Sequence, residues 1–139
     1  MPIGSSPEVI LVDTDVLSYR YGKRAEFEPF KPHLIGKIPA ISFISYGEAL
    51  GGAKSARWSD TKISEYENYL RSYLLFPGDI NLVRAYANTK ASCKFAGVGI
   101  TDNDCWIAAT AILHSIPLLT NDENMHRVPN LKALPQLPI

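Results

Sequence analysis

The stretch "VILVDTD", residues 9–15, sets four apolar residues in a row and follows them with two carboxylates one residue apart. An apolar run this short, with no polar alternation, marks a strand covered on both faces. Such strands belong to parallel sheets with helices packed above and below. This one segment directs the chain toward an α/β architecture.

The rest of the chain agrees. A short helix is predicted after the first strand, through Tyr21 and ended by Gly22, and "EFEPFKPHLIG" (26–36) reads as another, closing at Gly36. "PAISFIS" (39–45) reads as a second strand, followed by a helix from Tyr46 that the Gly51-Gly52 pair weakens or ends. In "SDTKISEYENYLRSYLLF" (59–76), Ile63, Tyr66, Leu70, Tyr73 and Leu74 recur at the spacing of an amphipathic helix, which "FPGD" breaks. A further helix is predicted over 80–97, with Ile80, Val83, Ala87 and Ala91 on one face and Gly97 as its stop. "TDNDCWIAATAILHS" reads as helical and "PLLTND" as a last strand. Strands alternating with helices imply a short central parallel sheet.

With 139 residues the chain suits one domain, 1–139, with 1–8 and 134–139 as irregular tails. No apolar run approaches the roughly 20 residues a membrane helix needs, and nothing resembles a signal peptide. Cys93 and Cys105, the two cysteines, lack metal or redox spacing and read as reduced thiols of a cytoplasmic protein. The formal net charge of zero excludes a generally basic coating, though not a local basic face.

Against this frame the acids gain meaning. Asp13 and Asp15 follow the first strand, Glu48 falls in the first turn of the helix after the second, Asp102 and Asp104 open a helix, and Asp122 follows the last strand. Ligands of open parallel sheets bind beyond the carboxyl ends of the strands. Each acid also has a local use. Asp15 suits an N-cap, Ser45-Tyr46-Gly47-Glu48 matches a capping box, Thr101 or Asp102 suits a cap, and Asp122 suits a turn. Capping does not explain why so many anions share one edge. Two carboxylates about 4 Å apart repel by roughly 4 kcal/mol at an effective dielectric near 20. A divalent cation removes that repulsion, and oxygen-only donors suit Mg²⁺ or Mn²⁺ rather than zinc.

The segments "ILVDTDVLSY", "ISFISYGEAL", "FPGD", "AYANTKA" and "GVGITDNDCWIAATAILHSIPLLTND" resemble, in order, the PIN-domain ribonucleases, most of all the VapC toxins of VapBC toxin–antitoxin pairs. The resemblance runs from about Val9 to Leu131 and is most specific in the block from Asp104 to Asp122. It implies a three-layer α/β/α sandwich and an Mg²⁺- or Mn²⁺-dependent endoribonuclease. It also implies a homodimer and neutralisation by a cognate VapB-like antitoxin. The acidic quartet of the family falls on Asp13, Glu48, Asp104 and Asp122, as catalytic residues and metal ligands. Asp102 takes an accessory acidic position, Asp15 stands where many relatives carry Asn, and Thr120 matches the small hydroxyl that supports the site. The chain departs from the family ending "T-x-D-x-D-F" at Asn124 and Met125.

An acidic pocket that receives RNA needs cations at its rim, and Lys54, Arg57, Lys90, Lys94 and Arg127 are the candidates. Tyr19, Tyr21 and Trp58 are candidates for stacking on unpaired bases. His33, His114 and His126 have no metal or triad spacing and read as structural or surface residues. Two rivals remain. The opening "DTDVL" also resembles haloacid dehalogenase-type phosphatases, which would leave Glu48 unused, and PIN-like folds can serve as silent RNA-binding modules.

Overall fold

The first strand, β1 (Val9–Val12), sits at the middle of the sheet, as its uninterrupted apolar character requires. The structure, a computed structural model, describes residues 7–136. Around β1 stand β2 (Ile38–Ser42), β3 (Leu74–Phe76), β4 (Leu118–Leu119) and β5 (Ala133–Leu134) in the order β3-β2-β1-β4-β5. Every neighbouring pair is parallel. The helices are α1 (Thr14–Tyr21), α2 (Phe43–Ser55), α3 (Asp60–Leu70), α4 (Ile80–Ala96) and α5 (Asp102–Leu113).

Successive strand residues point to opposite faces, and the core divides accordingly. Ile10, Val12, Ile41 and Leu119 pack with Val16 and Leu17 of α1, Ala49 and Ala53 of α2, and Tyr66 and Leu70 of α3. Leu11, Ala40 and Leu118 pack the other way, against Cys93 of α4 and Ile107, Ala108 and Ala111 of α5. The result is the predicted three-layer α/β/α sandwich. Burying one such aliphatic side chain contributes about 1.5–3 kcal/mol.

Several local expectations are corrected. The second strand stops at Ser42, not at residue 45, because the Ser42 hydroxyl accepts the Ser45 amide at 3.1 Å and starts α2 at Phe43. Ser45 is therefore not the cap, and Glu48 lies past the first turn. Helix α2 runs through Gly51-Gly52 to Ser55, since the burial of Ala49 and Ala53 outweighs about 1 kcal/mol per glycine. Residues 26–36 form short 3₁₀ turns (Ala25–Phe27 and Lys31–Leu34), as Pro29 and Pro32 supply no amide for a regular helix.

Leu74–Phe76, read as the end of a helix, is strand β3, and the helix stops at Leu70. The inner face of α4 is Leu82, Thr89 and Cys93, whereas Ile80 and Val83 are 60% and 47% exposed. Asp79, which accepts the Leu82 amide at 2.9 Å, begins that helix, and Gly97 ends it in the left-handed region at φ +70°. Of the predicted tails, 134–139 overlaps β5 at Leu134, and 1–6 and 137–139 lie outside the described residues. Among the described residues no helix is long and apolar enough to cross a membrane.

Candidate active site

The chain leaves β1 for β2 on one side of the sheet and later returns to β4 on the other, so the crevice between β1 and β4 is a switch point. Asp13 directly follows β1 and Asp122 follows β4 by three residues. Asp13, 5% exposed, is the N-cap of α1, and its Oδ1 accepts the Thr14 amide at 2.8 Å. The Thr120 hydroxyl donates to Asp13 Oδ2 at 2.7 Å and accepts the Asp122 amide at 3.0 Å. One fully buried threonine thus fixes both acids.

The others arrive from helices and loops. Asp15 is not the cap that its position suggested. Its Oδ1 accepts the Val16 amide at 2.7 Å, and its Oδ2 accepts the Asn121 amide at 3.2 Å. Asp104 sits in the first turn of α5, which Thr101 caps by accepting the Asp104 amide at 3.1 Å. Glu48 is exposed, with Oε1 accepting the Thr14 hydroxyl at 2.8 Å and Oε2 accepting the Asn103 amide group at 3.5 Å. Asp122 Oδ1 also accepts the Asn124 amide at 2.9 Å, the local turn use expected of it.

These acids share one electrostatic field. Burial above all, and then the charge of Asp15, push the Asp13 carboxyl up to about 7, with Asp104 adding a smaller push. Burial also raises Asp15, helped by Asp122 and Asp104. Asp104 is raised by burial first and then by Asp122 and Glu48. The four quartet residues and Asp15 are therefore brought together. Asp102 is not: the Tyr86 hydroxyl at 2.9 Å and Lys90 at 3.3 Å hold it, and their hydrogen bonds keep its carboxyl below the usual range. Among the described residues no three His, Cys, Asp or Glu side chains form a ready-made metal cage. The acids face one crevice without closing on one point.

Two results are expected. Unfolded Asp titrates near 4 and folded Asp13 near 7, so its protonation favours the folded state. That contribution is complete below about pH 4 and is lost as pH rises through about 7. The urea-denaturation free energy of metal-free wild type, relative to Asp13→Asn, should therefore fall from pH 5 to pH 8. Thr120→Val leaves buried Asp13 Oδ2 without its donor. It should lower stability by about 1–3 kcal/mol at neutral pH, read in the same assay.

Lys90 borders the site through Asp102, while Lys54, Arg57, Lys94 and Arg127 are exposed. Among the described residues none of those four pairs with a site acid. Tyr21 and Trp58 join an aromatic cluster with Tyr66, where the Tyr21 and Tyr66 rings are 4.3 Å apart, and that packing is their main use here. The Tyr19 hydroxyl lies 3.4 Å from the Asn121 side chain, at the crevice. The His126 ring places Nδ1 3.0 Å from the Asp122 carbonyl and Nε2 2.7 Å from the Pro135 carbonyl, a structural use in which a neutral ring donates to one of the two. A cavity of about 460 Å³ beside Val9, Ile112, Ile116 and Lys132 opens at the amino ends of β1 and β4, away from the acids.

Sequence reading missed Thr14, Ser45, Asn103 and Asn121. The available signal was placement. Thr14 adjoins Asp13, and Ser45 precedes Glu48 by three residues on one helix face.

A parallel sheet with an acid-lined crevice at its switch point places the chain among α/β proteins that present carboxylates at the carboxyl ends of their strands. The family model described as PIN domain matches residues 10–131, and the chain belongs to that family. Ribonuclease VapC4 of Mycobacterium tuberculosis (strain ATCC 25618 / H37Rv) is 26% identical over 96 residues, 68% of this chain and 74% of that protein. The structure of VapBC2 from Rickettsia felis bound to a promoter DNA fragment is similar with a TM-score of 0.77 at 22% identity, covering 90% of this chain and 96% of that one. FitAcB from Neisseria gonorrhoeae gives a TM-score of 0.73 at 24% identity, covering 89% and 95%. At these identities the structural likeness is one of fold.

Proposed function

We propose that this chain is an endoribonuclease that hydrolyses RNA phosphodiester bonds with Mg²⁺ or Mn²⁺, and that it is the toxin of a toxin–antitoxin pair. The observation that carries the reading is the gathering of Asp13, Asp104, Asp122 and Glu48 at one switch point, with Asp13 buried and held up to about 7. Their oxygen-only, like-charged set fits a hard divalent cation, which would offset the repulsion recorded there. Asp13, Glu48, Asp104 and Asp122 would hold it. When bound, it would lower the pKa of a water and neutralise charge developing on a phosphodiester.

The protein's own work is positioning. Thr120 orients Asp13, Thr101 fixes the first turn that carries Asp104, and exposed Glu48 would ligate the cation or accept a hydrogen bond from the attacking water. The water oxygen forms the new P–O bond, a bridging P–O bond breaks, and the leaving oxygen takes a proton.

A curated relative named as a ribonuclease supports the substrate class. Similar structures described as VapBC and FitAcB support a VapB-like antitoxin partner. Exposed Ile80 and Val83 on α4 support a homodimer. Lys54, Arg57, Lys90, Lys94 and Arg127 would meet phosphates, so log affinity for RNA should fall linearly with log salt. The cytoplasm is the compartment this role requires.

The test is incubation of the full chain with total cellular RNA and Mg²⁺, Mn²⁺ or chelator, followed by mapping of the cut ends. Discrete ends with either cation, none with chelator and none with Asp104→Asn are expected. Release of a chromogenic phosphate with no RNA cut would move the chain to the phosphatase reading, and cation binding with no turnover to the silent one.

A further inference from the structure

Thr14 touches two site acids at once. Its backbone amide donates to Asp13 Oδ1 at 2.8 Å, and its hydroxyl reaches Glu48 Oε1 at 2.8 Å. The same hydroxyl oxygen lies 2.9 Å from Ser45 Oγ, which lies 3.4 Å from Ser42 Oγ. Ser45 is 0% exposed and Ser42 1%.

A hydroxyl has one proton to give and two lone pairs to receive. Glu48 Oε1 is an acceptor, so the Thr14 proton goes to it. The Ser45 proton then goes to Thr14 Oγ1 and the Ser42 proton to Ser45 Oγ, while Ser42 Oγ accepts the Ser45 amide at 3.1 Å. Every hydroxyl in the row donates once and accepts at least once, and the row ends on a carboxylate. The bond onto Glu48 has a charged acceptor and the shortest distance in the row, 2.8 Å. Among the described residues no buried side-chain polar atom is left without a partner, the hydroxyls of this row included.

We infer that Thr14 is a positioning residue that orients Asp13 and Glu48 together, backed by the buried hydroxyls of Ser45 and Ser42. The inference rests on the nuclease reading for its consequence but not for its geometry. Glu48 is exposed and sits on a different helix from Asp13. Without the Thr14 hydroxyl its long side chain has only the 3.5 Å contact to Asn103. The β1–α1 junction would then no longer be tied to α2 at the crevice.

The test compares wild type, Thr14→Val, Thr14→Ser and Ser45→Ala by calorimetric titration with Mn²⁺ alone, by RNA cleavage kinetics and by thermal unfolding. Thr14→Val keeps the shape and loses the hydroxyl. It should bind Mn²⁺ roughly 10- to 100-fold more weakly. Its kcat should fall while KM for RNA stays near wild type. Thr14→Ser, which keeps the donor, should recover most of both losses. Ser45→Ala should shift both in the same direction by a smaller factor.

Thr14→Val matching wild type in Mn²⁺ affinity and kcat would overturn the inference. So would equal damage from Thr14→Val and Thr14→Ser, since the methyl group and not the hydroxyl would then matter. If Thr14→Val fails to fold, Ser45→Ala with unchanged Mn²⁺ affinity overturns it as well. Wild type that binds Mn²⁺ but cuts no RNA would defeat the nuclease reading alone, and the titration would still decide the role of Thr14. Wild type that binds no Mn²⁺ would defeat both.

Discussion

Asp13→Asn is expected to reduce RNA cleavage by at least about 100-fold while making the metal-free protein harder to unfold at pH 8. The two effects have one cause. Asp13 is 5% exposed, its carboxyl is raised to about 7 by burial and by the charge of Asp15, and at pH 8 it is ionised in a place that disfavours ionisation. Asparagine has nearly the same shape. It offers an acceptor to the Thr14 amide and a group facing Thr120, and it carries no charge.

The folded state should gain on the order of a few kcal/mol at pH 8 and nothing below about pH 4. At pH 5 the gain is smaller than at pH 8, because the folded wild-type acid is protonated but the unfolded one is already ionised. Urea denaturation of both proteins at the two pH values, without divalent cation, measures this directly. Cleavage of mapped RNA by the same preparations measures the other half. Equal stability at pH 8 would show that Asp13 carries no electrostatic burden, and the case for a cation at this edge would lose its main support. Function retained at the expense of stability is a common trade in active sites.

Leu119→Ala should cost about 2–5 kcal/mol, a large part of the 5–15 kcal/mol that holds a domain of this kind together. Leu119 is 0% exposed and supplies half of β4. Its carbonyl accepts the Asp13 amide at 2.9 Å, and the next residue is Thr120. A cavity there would remove core contacts and loosen the backbone that carries both switch-point acids. Cleavage should fall even where the variant remains folded. Ile35→Ala, at a residue 74% exposed, should stay within about 0.5 kcal/mol of wild type. A cost below about 1 kcal/mol for Leu119→Ala would contradict the packing described for the carboxyl edge.

The sheet's centre was legible in the sequence because β1 is buried on both faces, and burial on both faces leaves no polar residue to blur the run. The placement of Asp13, Asp104 and Asp122 along one edge was legible for a related reason, since each sits near a strand end or helix start there. The edges of the sheet were not. Strand β3 has three residues and β5 has two, too few to display a period, and Tyr73 and Leu74 also continue the three-and-four spacing of the helix before them.

Apolar spacing along α4 gives a stripe but not its rotation. Ile80 and Val83 of that stripe are exposed, while Leu82, Thr89 and Cys93 do the packing. At the site, the acids announced themselves by charge. Thr14 and Ser45 did not, because a hydroxyl's partner is set by three-dimensional approach and not by any spacing along the chain.

The His126 ring lies between two main-chain carbonyls, that of Asp122 at 3.0 Å and that of Pro135 at 2.7 Å, and donates to one of them as a neutral ring while packing against the other. The short closing strand and the last acid of the crevice are thereby latched into one mechanical unit. A pull, a trim or a fused handle applied just beyond Leu134 is transmitted to the acidic rim from behind, whereas the same alteration ahead of Val9 meets the sheet at its far end.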